Sequence, residues 1–245
     1  MITCNITYYN EPRWLQWWYD TFIKLHDEGI PIHLSIADDG SMKDRAEDFF
    51  ETNKPYSFMS LYRVKEDLGF NSHGARNLLM QRTKTEWNML SDIDRQYPIS
   101  TFEKIAKAEQ ALSEGYYYGF VNPNGGSLND YVINKNDFWS AGGYDEEFVN
   151  IHWGDRIFME SLERSVTRID VSTWEIIYKR HARDVIFADV PITMYPSETT
   201  MVHPDSFWGK EELRHELKDR IQKRNSTEKG RKSKKVVNFE WTQIF

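Results

Sequence analysis

Only one cysteine, Cys4, occurs in 245 residues. That excludes an internal disulfide framework and any cysteine-rich zinc site. No apolar run approaches the length of a membrane span. No secretory signal is evident, because Met1 leads straight into a β-rich stretch. Positive charge is in the minority: 31 Lys and Arg against 38 Asp and Glu give a net charge of −7. The chain as a whole is therefore no polyanion binder, and no nucleic-acid partner is expected. No internal repeat is present. These absences leave a cytoplasmic protein as the expectation, with peripheral contact at a membrane left open.

What is there is a globule. Hydrophobic residues make up 40% and charged residues 28%, which suits a packed core in one large or two small domains. Aromatics reach 15%, with nine Trp. Sugar-binding surfaces use such rings, and so do ordinary cores.

The chain opens as strand, helix, strand. Ile2 to Tyr8 is β-rich, and Pro12 opens a helix whose Trp14, Leu15, Trp18, Phe22 and Leu25 recur at helical spacing up to a stop at Gly29. Ile32, Leu34 and Ile36 alternate into Asp38-Asp39-Gly40-Ser41. A parallel pair with a right-handed crossover follows. A short helix is expected over 42–52, a strand over 58–64, a helix over 71–82 and a strand over 87–91. Ser100 and Glu103 have the spacing of a capping box, with Phe102, Ile105 and Leu112 marking the helix behind it. Strands are expected over 116–121, 131–133 and 174–178, and a helix runs through Ile157, Phe158 and Leu162. Residues 209–224 read as an exposed helix. Residues 223–235 hold seven Lys and Arg against Glu228 alone and read as a solvated linker. Residues 236–245 alternate weakly and suit an added strand or a docking segment.

The strand at 87–91 ends in Asp92-Ile93-Asp94. Side chains at i and i+2 of a strand point the same way. Two such carboxylates repel unless a cation sits between them or the chain turns. Mg²⁺ and Mn²⁺ take oxygen ligands and bridge to phosphates, so a metal–diphosphate site is one reading and a solvated acidic turn is the other. Three polar clusters fall at strand ends: Thr7 to Glu11, Asp38 to Ser41, and Asp92 to Asp94. In open α/β sheets, ligands collect beyond the carboxyl ends of the strands.

The order Tyr8-Tyr9-Asn10-Glu11-Pro12, Asp38-Asp39-Gly40-Ser41, Gly74-Ala75-Arg76-Asn77, Asp92-Ile93-Asp94, Gly142-Gly143-Tyr144-Asp145 and Trp153-Gly154-Asp155 resembles GT-A glycosyltransferases of the inverting family-2 type. The half after Asp94 is similar to β-1,4-galactosyltransferases, and Arg180-His181-Ala182-Arg183-Asp184 resembles their metal-binding histidine segment. The resemblance covers about residues 2 to 185. It implies an α/β GT-A fold with a mainly parallel, Rossmann-like sheet flanked by helices. It also implies a UDP-sugar donor, Mn²⁺ or Mg²⁺, and a glycan or other hydroxyl acceptor. By that likeness Thr7, Tyr9 and Asn10 lie along the nucleotide. Asp38 or Asp39 accepts a hydrogen bond from the uracil. Arg76 lies near the nucleotide. Asp92 sits near ribose and metal, Asp94 binds the metal, and Asp155 is the catalytic base. Trp153 stacks on a sugar or only packs. His181 is the histidine metal ligand, with His203 as its rival. The likeness departs at Gly154-Asp155, where family members carry Glu-Asp.

The expected organisation is a glycosyltransferase domain over 1–205, with a nucleotide-binding half (1–97) and an acceptor and catalytic half (98–205). A helical and basic extension covers 206–245, with 223–235 as the stretch open to anionic lipid. The expected activity is metal-dependent transfer of a hexose or N-acetylhexosamine from a UDP-sugar to a glycan hydroxyl, with inversion. The alternatives are a sugar nucleotidyltransferase and a non-catalytic nucleotide-sugar or glycan-binding relative. No glycine-rich phosphate loop with a following Lys stands after the first strand, which argues against the nucleotidyltransferase.

Overall fold

The computed structural model describes residues 1–121, 128–149, 153–175, 177–178 and 211–245. The first half repeats strand and helix: β1 (Ile2–Tyr8), α1 (Pro12–Asp27), β2 (Ile32–Asp38), α2 (Ala46–Thr52), β3 (Met59–Val64), α3 (Ser72–Arg82) and β4 (Trp87–Asp92). The second half is more irregular: β5 (Arg95–Gln96), α4 (Ile99–Ala108), β6 (Tyr116–Val121), β7 (Tyr131–Asn134), α5 (Lys135–Ser140), α6 (Gly154–Leu162), β8 (Thr167–Glu175) and β9 (Ile177–Tyr178). After the undescribed 179–210 come α7 (Glu211–Asn225), α8 (Glu228–Lys232) and β10 (Trp241–Gln243).

Eight of these strands form one sheet in the order β10-β3-β2-β1-β4-β7-β6-β8, and β5 pairs with β9. Strands β3, β2, β1 and β4 are parallel; β7 runs against both β4 and β6, and β10 runs against β3. This is the mixed, mainly parallel GT-A sheet that the motif order implies.

The alternation of side chains along each strand divides the core. Cys4 and Ile6 join Leu15, Trp18, Phe22, Phe50 and Phe102 on the face covered by α1, α2 and α4. On the other face Ala37 and Tyr62 meet Ala75, Leu78 and Leu79 of α3, while Leu90, Tyr131 and Ile133 meet Phe138, Tyr144 and Phe158 around α5 and α6. Leu90 lies two residues before Asp92, so Asp92 shares its face and points towards α3.

Several expectations are corrected. Helix α2 starts at Ala46 instead of residue 42. The intervening amides are claimed by side chains: Asp38 accepts from Ser41 and Ala46, and Asn10 Oδ1 from Lys43 and Asp44. The capping box at Ser100 and Glu103 is not made; Pro98 is the N-cap, so Ser100 lies inside the first turn. That helix ends at Ala108 with a 3₁₀ turn over Glu109–Ala111, leaving Leu112 beyond it. Strand β8 starts at Thr167, seven residues before Trp174, because Thr167 to Val171 pair with β6 at the sheet margin. Helix α7 is not exposed all round: Leu217 and Ile221, one turn apart, are buried against Phe148 and Ile157.

Residues 223–235 are not a linker. They include α8, and Arg224, Arg231 and Lys234 all donate hydrogen bonds to protein groups. The added strand expected over 236–245 is β10.

Candidate active site

The parallel register gathers the strand-end clusters. Thr7 stands between Ala37 and Asp92 on the neighbouring strands, and Tyr8 lies beside Asp38. Gly40, at φ +79°, crosses under the 66–67 backbone so closely that a Cβ there would sit 2.5 Å from the Glu66 carbonyl oxygen. Tyr9 donates its hydroxyl to Asp67 Oδ2 at 2.9 Å. Asn10 serves the turn: besides its bonds to the 43–44 amides, its own N–H donates to Ser41 Oγ at 2.9 Å.

The two aspartates after β2 separate in role. Both Asp38 oxygens are taken by backbone amides, at 2.8 Å each. Asp39 Oδ2 accepts from the Asn71 amide at 2.9 Å, while buried Oδ1 has no partner among the described residues. Burial pushes the Asp39 carboxyl well above its ordinary range, against the pull of the Asn71 amide. Asn71 Nδ2 is also buried and without a partner among the described residues. The two groups sit together at the start of α3, where the Asn71 side chain also pulls the Asp39 carboxyl down without closing a well-aligned hydrogen bond. Asn71 is not among the site residues expected from sequence, where it stands as the first residue of the expected helix; it is the N-cap of α3.

At the Asp-Ile-Asp motif the chain turns and a cation intervenes, but the cation is a guanidinium. Arg95 donates to Asp94 Oδ1 at 2.5 Å, Asp92 Oδ2 at 3.1 Å and Asp130 Oδ2 at 3.1 Å. Trp18 Nε1 fixes the turn by donating to the Ile93 carbonyl at 2.8 Å. Asp92 also pairs with Arg76 and accepts from Asn129 Nδ2 at 3.2 Å. Burial alone would raise the Asp92 carboxyl, but the two arginines offset this and hold it below the usual range. Asp94 is the opposite case: burial pushes it up to about 7 against the pull of Arg95, with Asp92 and Asp130 adding to the rise. Glu11, unassigned in the sequence reading, is pushed to about 7 by burial, with Asp44 and Asp94 adding to the rise against Arg13.

Among the described residues no group of three or more His, Cys, Asp or Glu side chains is placed to hold a metal. The donor chemistry still fits in part. Asp92 has both oxygens engaged, whereas Asp94 Oδ2 accepts from no described residue, leaving a hard oxygen ligand for a divalent ion. His181, the expected third ligand, and its rival His203 lie outside the described residues.

Arg76 links the two sides of the site. It is 4% exposed, pairs with Asp92, and lies 5.4 Å over the ring of Tyr144. Burial would lower its pKa, but the field of Asp92, Tyr144, Tyr131 and Asp155 raises it. The Asp155 carboxylate therefore stands within the same field as Asp92. Asp155 lies in the first turn of α6, where its Oδ1 accepts from the Arg156 amide at 2.8 Å. Trp153 takes the N-cap position in the left-handed region at φ +91°. The cations of Arg156 and Lys218 each lie 5.1 Å from its ring, so it packs against charged neighbours instead of offering a bare face. Gly154 is required by His73: a Cβ would come within 2.6 Å of the imidazole. The family's Glu at this position has no room here.

A mixed sheet with its acidic clusters converging at one carboxyl edge is the GT-A architecture. The match to the family model "Glycosyl transferase family 2" over residues 3–163 covers well over half of the chain, and the chain belongs to that family. No curated protein matches it by sequence. Among solved structures it is similar to Staphylococcus aureus TarS 1–349 in complex with UDP, with a TM-score of 0.59 and 12% identity over 71% of this chain and 59% of that one. It is also similar to the mannosyltransferase PcManGT from Pyrobaculum calidifontis in complex with GDP-Man and Mn²⁺, with a TM-score of 0.57 and 13% identity over 75% and 58%. The chain thus spans about three-fifths of the length of either. The catalytic domain of Drosophila β1,4-galactosyltransferase 7 in complex with xylobiose reaches only 0.48 at 11% identity over 73% and 71%, and nothing is argued from it. No described helix is long and apolar enough to cross a membrane.

Proposed function

We propose that this glycosyltransferase moves a hexose or N-acetylhexosamine from a UDP-sugar to a glycan hydroxyl with inversion. The observation that carries the reading is Arg76. It pairs with Asp92 at the donor side while lying in the field of Asp155, which supports assigning both carboxylates to one site.

Uracil suits the open atoms at the start of α3. Its imide N–H would donate to Asp39 Oδ1, and a ring carbonyl would accept from Asn71 Nδ2. Guanine presents paired donors to a carboxylate, and Asp39 has only one oxygen left. Of the two aspartates, Asp39 is therefore the base-contacting one. Thr7 and Tyr9 border the nucleotide, and Asn10 shapes the turn beside it. Asp92 is held for the ribose by Arg76 and Arg95. Asp94, with His181 as the second protein ligand, would hold Mn²⁺ or Mg²⁺, which when bound neutralises charge on the departing diphosphate.

Asp155 removes the acceptor hydroxyl's proton as that oxygen bonds to the sugar's anomeric carbon and the carbon–phosphate-oxygen bond breaks. Attack from the face opposite the leaving group inverts the anomeric centre. Trp153 supports the acceptor side by packing. Lys223, Lys229, Lys232 and Lys235 are the exposed cations of 223–235, and they would carry any contact with anionic lipid.

A thermal-shift screen of nucleotide-sugars with and without Mn²⁺ tests the reading, because a ligand of the folded state raises the melting temperature by mass action. The expected result is a Mn²⁺-dependent rise with a UDP-sugar that is lost in Asp94→Ala. A rise with GDP-sugars alone would overturn the donor assignment. Binding with no turnover on any glycan would leave a binding-only relative.

A further inference from the structure

Residues 142–149 precede Asp155 and receive a strap formed by residues beyond the family match. Gly142, at φ +88°, leaves no room for a side chain: a Cβ would lie 2.7 Å from the Arg231 carbonyl oxygen and 2.8 Å from Lys234 Cε. The Lys234 ammonium donates to the Gly143 carbonyl at 2.6 Å and reaches Asp145 Oδ2 at 3.3 Å. The side chains of Lys234 and Asp145 are each 2% exposed. Asp145 also pairs with Arg224 and accepts from Asn225 Nδ2 at 2.9 Å. Glu146 accepts the backbone amides of Val237 and Asn238 at 2.5 and 3.0 Å.

From the other side the same segment is held by α3. Asn77 accepts from the Tyr144 amide at 2.9 Å and donates to the Tyr144 carbonyl at 3.0 Å. Tyr144 in turn lies beneath Arg76, the partner of Asp92, and stacks on Phe158 of α6 with ring centroids 4.2 Å apart. The peptide that Lys234 clamps is thus the one that spaces α6, and Asp155 on it, from the Asp92 end of the sheet.

We infer that Lys234 is a positioning residue for the transfer step, setting Tyr144, and through it the helix of Asp155, against Arg76 and Asp92. The inference rests on the proposed role of Asp155. The strap has a separate anchor: β10 pairs with β3, and Trp241 packs beside Tyr62 with ring centroids 6.0 Å apart. A change at Lys234 therefore leaves the strap attached.

The test compares Lys234→Met with Trp241→Ala, a variant that weakens the strap away from 143–146. UDP affinity in the presence of Mn²⁺, kcat for transfer, melting temperature and backbone hydrogen exchange over 153–158 are measured for each. Lys234→Met is expected to cut kcat at least tenfold while UDP affinity stays within twofold, and to speed exchange over 153–158. Trp241→Ala is expected to lower the melting temperature without either effect. Wild-type kcat and unchanged exchange in Lys234→Met would overturn the inference, as would losses that track melting temperature alike in both variants. A wild type that binds no UDP would sink the proposed function and with it the transfer role of Lys234, and the exchange comparison would then decide only whether Lys234 holds the start of α6.

Discussion

Arg95 is the residue on which the acidic end of β4 depends. Among the described residues it is the one side chain bonded to all three of Asp92, Asp94 and Asp130, and the Asp130 side chain is fully buried. Removing one partner from a buried charge cluster costs about 3–5 kcal/mol, because Asp94 and Asp130, unlike Asp92, would keep no cation among the described residues. Arg95→Ala is therefore expected to lower the melting temperature by roughly 10 °C for a chain of this size. Arg95→Lys should recover little, since an ammonium cannot span three carboxylates as a planar fork does. A calorimetric melt checks both. Asp155→Asn, which touches no such cluster, should melt like the wild type while losing ~10²–10⁴ in kcat with UDP affinity retained.

Glu11 gives the pH dependence a sign. Its folded pKa, about 7, lies above its ordinary 4.5 because of burial. The folded state then binds the proton more tightly than the unfolded one between those values, so stability falls as pH rises through the window. Glu11→Gln should flatten that fall, by about 1–2 kcal/mol after allowance for its partial solvation. Melting temperatures from pH 5 to 8 without nucleotide check this; an equal slope in both proteins would remove Glu11 as the cause.

The elements differ in how far they announce themselves. β1, α1 and β2 are legible because alternation, Pro12 and a 3.6-residue stripe are local signals, and the first strand and helix fall at the expected bounds. The strand-end aspartates are legible for the same reason. Asp130 and Asn71 are not, because their partners come from distant parts of the chain and no short pattern encodes the meeting; Arg95 stands next to the motif, but only its bond to Asp130 reveals its reach. Helix α7 carries a legible stripe that the expectation of an exposed helix passes over: Leu213, Leu217 and Ile221 recur every four residues among many charges, and Leu217 and Ile221 dock it. Gly142 belongs to this scale too. Gly142→Ala would meet both the left-handed backbone and the strap, and should destabilise by at least ~1–2 kcal/mol, read as a lowered denaturation midpoint at unchanged slope.

At the scale of the molecule, the region after residue 163 completes the fold. Deleting residues 224–245 would remove Arg224, Asn225 and Lys234 from Asp145 and would strip β10 from β3. The truncated chain is expected to melt at least ~10 °C lower and to lose transfer activity, as it sheds the packing of Val237, Phe239 and Trp241 on Tyr62, Leu78 and Leu79, worth several kcal/mol. A solvated linker would have predicted no change in either.

The pairing of β10 with β3 also fixes an order of events. β3 and its parallel neighbours can assemble while the chain is still being made, but the outer edge of β3 stays bare until residues 241–243 arrive. A naked strand edge is a template for any other extended chain. Between the two moments the nascent protein carries an open seam, and how crowded its surroundings are with other unfinished chains decides whether its own strand or a stranger's closes it.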